Sequence, residues 1–109
     1  MERLTSNEAF EKALEDNSKM LLLKHSNTCP ISGDAHEEYE KYTNENGDVK
    51  AFYLIVQEDR PLSNEIAEKY DIKHESPQAF LFNNKEVAWH TSHRKITYDS
   101  LATAVAESK

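Results

Sequence analysis

The unbroken apolar run Met20-Leu21-Leu22-Leu23 constrains the fold more tightly than anything else in the chain. A strand wetted on one side alternates apolar and polar residues, whereas a continuous run of this kind fits a strand covered on both faces. Covering both faces requires a packed layer on each side of the sheet. A strand from Lys19 to about His25 is therefore expected, with helical segments supplying both outer layers.

Those segments are legible on either side. Ala9, Phe10, Ala13 and Leu14 form one helical face that ends near Asn17, and Thr5 and Glu8 have the spacing of a capping box at its start. After the apolar run, Ile31, Ala35, Tyr39 and Tyr42 recur at close to helical spacing among charged residues. Asn44-Glu45-Asn46-Gly47-Asp48 ends that helix, with Gly47 suited to a left-handed stop. The β-branched and aromatic stretch Val49 to Val56 predicts a second strand. From Asp59 the pattern is helical again, with Pro61 in the first turn and Leu62, Ile66, Ala67 and Tyr70 on one face. Ile72 closes this unit. Ala79-Phe80-Leu81-Phe82 and Glu86-Val87-Ala88-Trp89-His90 read as two strands joined by a turn at Asn83-Asn84-Lys85, where Asn tolerates positive φ. Thr97 caps a last helix with Leu101, Ala104 and Val105 inside. Alternating β and α followed by a hairpin and a closing helix implies an α/β domain, a mixed sheet with helices on both faces.

The only cysteine stands where the apolar run gives way to the second helix, in Ser26-Asn27-Thr28-Cys29-Pro30-Ile31-Ser32. Pro30 suits a first helical turn, because its missing N–H has no intrahelical partner there. Cys29 is thus expected at a helix N-terminus, where unpaired N–H groups and the helix dipole favour thiolate over thiol and lower its pKa. The competing reading is a small buried hydrophobe. Proline directly after the cysteine, with small and polar residues around it, favours a reactive thiol.

At 109 residues the sequence describes one domain, 1–109, large enough to bury a core without staples. A formal net charge of −7 opposes nonspecific attraction to phosphate backbones, so nucleic acid is not an expected partner. No apolar run approaches a membrane span, and Met1-Glu2-Arg3-Leu4 begins no secretory h-region. One cysteine cannot form an internal disulfide. Cytoplasmic localisation is the expectation. Five histidines raise the question of a metal, but only His90 and His93 have ligand-like spacing, and no metal site is expected. Trp89 is assigned to strand packing, and the acidic run Asp34 to Glu40 to a solvated helix face.

Two resemblances follow from these strings. Ile66 to Ile72, then Pro77, then Ala79 to Val87 resembles the second half of a thioredoxin, in which such a helix leads to a cis-proline and a hairpin. More narrowly, Thr28-Cys29-Pro30-Ile31-Ser32, Asp59-Arg60-Pro61-Leu62-Ser63 and His74-Glu75-Ser76-Pro77-Gln78, in that order, resemble the YtxJ-like monothiol bacilliredoxins, over nearly the whole chain. The resemblance implies a thioredoxin-like fold with an added N-terminal helix. It also implies a monothiol thiol-disulfide oxidoreductase that removes bacillithiol from protein mixed disulfides. Cys29 maps onto the attacking thiol and Pro77 onto the proline facing it, through a Ser76-Pro77 bond expected to be cis. Ser32 stands where a dithiol enzyme has its resolving cysteine, and the strand before the loop carries Lys24 and leucines but no carboxylate. There is one residue more between Ile72 and Pro77 than in common thioredoxins.

The implied partners are bacillithiolated client proteins and a low-molecular-weight thiol. No tightly bound cofactor is implied, with bacillithiol serving as thiol co-substrate. Thr28, Pro30, Ser32, Ser76, Pro77, His93 and Arg94 are the candidate substrate-binding residues around Cys29. The last two belong to Thr91-Ser92-His93-Arg94-Lys95, a local cationic exception on an acidic chain, which reads equally as a surface loop. The alternative function is a noncatalytic thioredoxin-fold thiol sensor or adaptor, in which Cys29 is modified but never turned over.

Overall fold

In the computed structural model, which describes residues 1–27 and 30–108, five strands form one mixed sheet between two helical layers. The elements are β1 (Glu2–Arg3), α1 (Asn7–Asp16), β2 (Lys19–His25), α2 (Pro30–Glu45), β3 (Lys50–Ile55), α3 (Arg60–Tyr70), β4 (Gln78–Asn83), β5 (Glu86–Ser92) and α4 (Tyr98–Glu107). One turn of 3-10 helix, His93–Lys95, precedes α4. The spatial order is β1-β3-β2-β4-β5. β2 pairs parallel with β3 and antiparallel with β4.

This central position explains the apolar run. Each face of β2 is covered, so its period-2 alternation sorts residues between two cores rather than between core and water. Met20 and Leu22 join Phe10, Leu14, Phe52, Leu54, Leu62, Ile66, Phe80 and Phe82 on the side of α1 and α3. Leu21 and Leu23 join Tyr39, Tyr42, Ala51, Leu81 and Leu101 on the side of α2 and α4. Tyr39 is fully buried and its hydroxyl donates to the Phe52 carbonyl at 2.7 Å, which satisfies the one polar atom it takes into the core.

Several boundaries depart from the sequence expectation for local reasons. Ser6, not Thr5, caps α1: its hydroxyl accepts from the Ala9 N–H at 3.1 Å. No glycine has positive φ, so Gly47 does not make the expected left-handed stop. Asn46 closes α2 instead, its backbone N–H and its side-chain amide both donating to the Tyr42 carbonyl. The hairpin loop is two residues, Asn84 (φ 51°) and Lys85 (φ 71°), while Asn83 pairs with Glu86 inside the ladder. Thr97 caps α4 as expected, with Ser100 completing a reciprocal pair of bonds.

The short strand β1 was not expected from the sequence. It pairs parallel with the outer edge of β3, and its anchor is an ion pair: Arg3 donates through two nitrogens to the two oxygens of the buried Asp59 carboxylate, both at 3.1 Å. Two residues carry no periodicity, so this strand exists because its side chain finds Asp59 some fifty positions away.

Candidate functional site

β2 is the last structured stretch before the cysteine, and α2 is the first after it. The expectations for Thr28, Cys29 and the Ile31 side chain lie outside the described residues. α2 begins at Pro30, the residue that follows Cys29 in sequence, and Pro30 is exposed. Ser32 is fully buried, with its hydroxyl accepting from the Ser26 N–H at 3.3 Å. The approach to the cysteine is braced from the β3–α3 turn: Gln57 donates to the Ser26 hydroxyl at 2.7 Å and accepts from the Asn27 N–H at 3.1 Å. Gln57 is absent from the sequence-based set because a polar residue in a turn has no pattern to reveal it.

Two further candidate residues, Ser76 and Pro77, lie in the segment ahead of β4. The Ser76-Pro77 peptide is cis, as expected. Pro77 is buried, and its carbonyl accepts from the His93 N–H at 3.0 Å. Two residues singled out separately in the sequence are thereby held together. Ser76 is half-buried, and its hydroxyl has no hydrogen-bond partner among the described residues. Gln78, also buried, organises the same segment, its amide donating to the Lys73 carbonyl and accepting from the Glu75 N–H.

Thr91 and Ser92 prove to be the end of β5 rather than a loop, and His93 to Lys95 form the 3-10 turn. His93 has φ 54°, a left-handed conformation uncommon for a residue with a Cβ. Its N–H bond to Pro77 and its carbonyl bond from the Ile96 N–H hold it there. Arg94 is exposed and, with His93, borders a hollow against Asp34, Ala35 and Glu38 in the first turns of α2. On the other side of the turn, His90, Ser92, His93, Arg94 and Lys95 line a groove of about 510 Å³ with Glu75 as its one acidic member. Among the described residues no three metal-ligating side chains converge, and no helix is long and apolar enough to cross a membrane.

The fold is shared with known proteins. The family described as monothiol bacilliredoxin BrxC matches residues 2–101. This chain belongs to the monothiol bacilliredoxins. A thioredoxin-fold protein proposed to be an oxidoreductase is 47% identical, with 94% of this chain and 91% of that chain covered and a TM-score of 0.90. Thioredoxins of Fasciola hepatica and Plasmodium falciparum superpose over the full length of both chains at TM-scores of 0.81 and 0.80. At 14% identity each, they share the fold alone. Family and fold support thiol-disulfide oxidoreductase chemistry for this bacilliredoxin.

One group in the bacilliredoxin core is out of place by chemistry. Lys24 continues the Met20, Leu22 face of β2 and is fully buried. Its ammonium donates to the Ser63 carbonyl at 3.0 Å, lies 3.3 Å from His74 Nδ1 and sits 5.6 Å from the centre of the Phe80 ring. Burial lowers its pKa from 10.5 to about 8. Burial also lowers the His74 pKa, reinforced by Lys24 and Arg60 and opposed by Glu75. On the opposite face, burial and then the neighbouring His36 lower the His25 pKa, the two rings being 4.9 Å apart.

The Lys24 shift has a defined sign in stability. A base whose pKa is depressed on folding penalises the folded state while charged, and the penalty is relieved as pH rises from the folded towards the unfolded value. Stability is therefore expected to rise by about 2 kcal/mol between pH 7 and pH 10, an order-of-magnitude figure from the Lys24 shift. Above pH 10 the buried Tyr39, whose pKa burial raises, acts in the opposite direction as the unfolded chain ionises. Urea midpoints at pH 7, 9 and 10 check this, and a steady fall across that window would contradict it.

Proposed function

We propose that this bacilliredoxin removes bacillithiol from protein mixed disulfides, with Cys29 as the attacking thiol. The observation that carries the reading is a single cysteine directly ahead of α2 with a buried hydroxyl, Ser32, at the spacing of a resolving thiol. The Cys29 thiolate attacks the bacillithiol sulfur, the client sulfur leaves as thiolate and takes up a proton, and Cys29 is left carrying bacillithiol. Two sulfurs exchange partners with no net oxidation. Ser32 cannot continue the reaction, so a second thiol, free bacillithiol or another protein, must release the first. Pro30, Thr28, Ser76 and Pro77 form the surroundings of the exchange in this reading. Intact mass of a bacillithiolated client before and after mixing tests it: the client should lose one bacillithiol and the enzyme gain one. A client that keeps its modification would overturn the proposal in favour of the sensor or adaptor.

His93 and Arg94 are proposed to receive the anionic end of the co-substrate. Bacillithiol carries malate carboxylates, and the groove beside Pro77 presents Arg94, Lys95 and two histidines against one glutamate. Arg94→Glu is expected to slow exchange with bacillithiol about tenfold while leaving exchange with an uncharged thiol within about twofold. Stopped-flow rates with the two thiols check this, and equal slowing of both would count against the groove.

A further inference from the structure

A fully buried ammonium without a carboxylate partner is an expensive core residue. Among the described residues Lys24 has two hydrogen-bonding neighbours, the Ser63 carbonyl on α3 and His74 Nδ1 on the segment leading to Pro77. The slot itself asks for an apolar side chain, since Met20 and Leu22 precede it on the same face and Phe80 lies beneath it. An ammonium only donates, so the His74 ring that meets it must present a bare Nδ1 and carry its proton on Nε2. Ser63 Oγ, 3.3 Å from the same Nδ1, completes a three-residue cluster joining β2, α3 and the segment before β4. His74 itself is on the surface, with Arg60 and Glu75 as its other charged neighbours.

We infer that Lys24 is a positioning residue: its buried ammonium clamps His74 to β2 and α3 and so fixes the Lys73–Pro77 segment, at a cost to global stability. The clamp acts within a segment that is also tied at other points. Gln78 holds Lys73 and Glu75, and the His93 N–H holds Pro77. Between these ties lies Ser76, and His74 is the side chain that links them to the interior. The inference rests on the reading that Ser76 and Pro77 border the thiol site.

Lys24→Met separates positioning from simple structural support, because it removes the charge and keeps an unbranched chain. The melting midpoint should rise by about 5 °C. The amides of Glu75 and His93, which report the segment's two ties, should nevertheless exchange with deuterium about tenfold faster, and kcat/KM for a mixed-disulfide substrate should fall about tenfold. His74→Ala, at the surface, should loosen the same two amides without raising the midpoint. Should Lys24→Met fail to fold, those amides in His74→Ala decide alone. Unchanged Glu75 and His93 exchange in the folded variants would overturn the clamp, as would a lowered midpoint with all amides accelerated alike. Accelerated amides in a protein whose wild type exchanges no disulfide would support the clamp and overturn the thiol-site reading.

Discussion

Cys29→Ala is expected to abolish the transfer of bacillithiol, with the client retaining its full modified mass under conditions where wild type strips it. The chain has no other thiol to substitute for the nucleophile, and a hydroxyl such as Ser32 is far too weakly acidic to attack a disulfide at neutral pH. The expected loss is on the order of a hundredfold or more, down to the background exchange of free thiol. Ser32→Ala is the informative companion. Its hydroxyl accepts from the Ser26 N–H and is buried, so its loss disturbs the approach to Cys29 without removing a reacting group. Transfer should persist within about tenfold of wild type. Time-resolved intact mass distinguishes these outcomes. Equal activity in Cys29→Ala would show that the chemistry does not pass through this thiol.

The largest stability effect is expected at Asp59, which has no part in the proposed exchange. Its carboxylate is 4% exposed and accepts from Arg3 twice and from the Ile55 N–H at 2.9 Å. Asp59→Ala leaves the Ile55 N–H without this acceptor and removes the anchor of β1 in one step. The expected cost is about 3 kcal/mol, towards the lower end for broken buried pairs because Arg3 remains partly in water. Asp59→Asn keeps one oxygen for Ile55 and should cost roughly half as much. Urea denaturation gives both values. Hydrogen exchange adds a local signature, since the Leu4 N–H, bonded to the Tyr53 carbonyl at 2.8 Å, should lose protection first. A loss below about 1 kcal/mol in Asp59→Ala would mean that β1 is held by the ladder alone.

Lys24 and Asp59 are two buried charges handled in opposite ways. Asp59 meets a bidentate guanidinium and a backbone donor, so its ionised form is compensated on every side. Lys24 meets a carbonyl, a neutral imidazole and an aromatic face, which leave it charged but poorly compensated. Replacing the first should destabilise the fold, and replacing the second should stabilise it. The same burial therefore yields opposite signs, because the partners rather than the depth set the balance.

The elements that repeat a period were legible in the chain itself. β2 was bounded at Lys19 and His25 by its apolar run, and the inner stripe of α2 by Ala35, Tyr39 and Tyr42. Pro30 marked the start of α2, Thr97 the cap of α4, and the order of strands and helices the mixed sheet. These features are local: they depend on side-chain spacing and backbone preference within a few residues. The strings around Cys29, Arg60 and Pro77 also led to the family. What tertiary structure decided were the pairings between distant positions. Arg3 makes a strand only because Asp59 lies opposite, Gln57 braces Asn27 across a turn, and Pro77 meets His93 through a backbone bond. Lys24 shows the division in one residue. Its place in the strand after the leucines was legible, but only the folded chain shows it buried and brings Ser63 and His74 to its ammonium, because hydrogen-bond partners are chosen by distance in space and leave no trace in spacing along the chain.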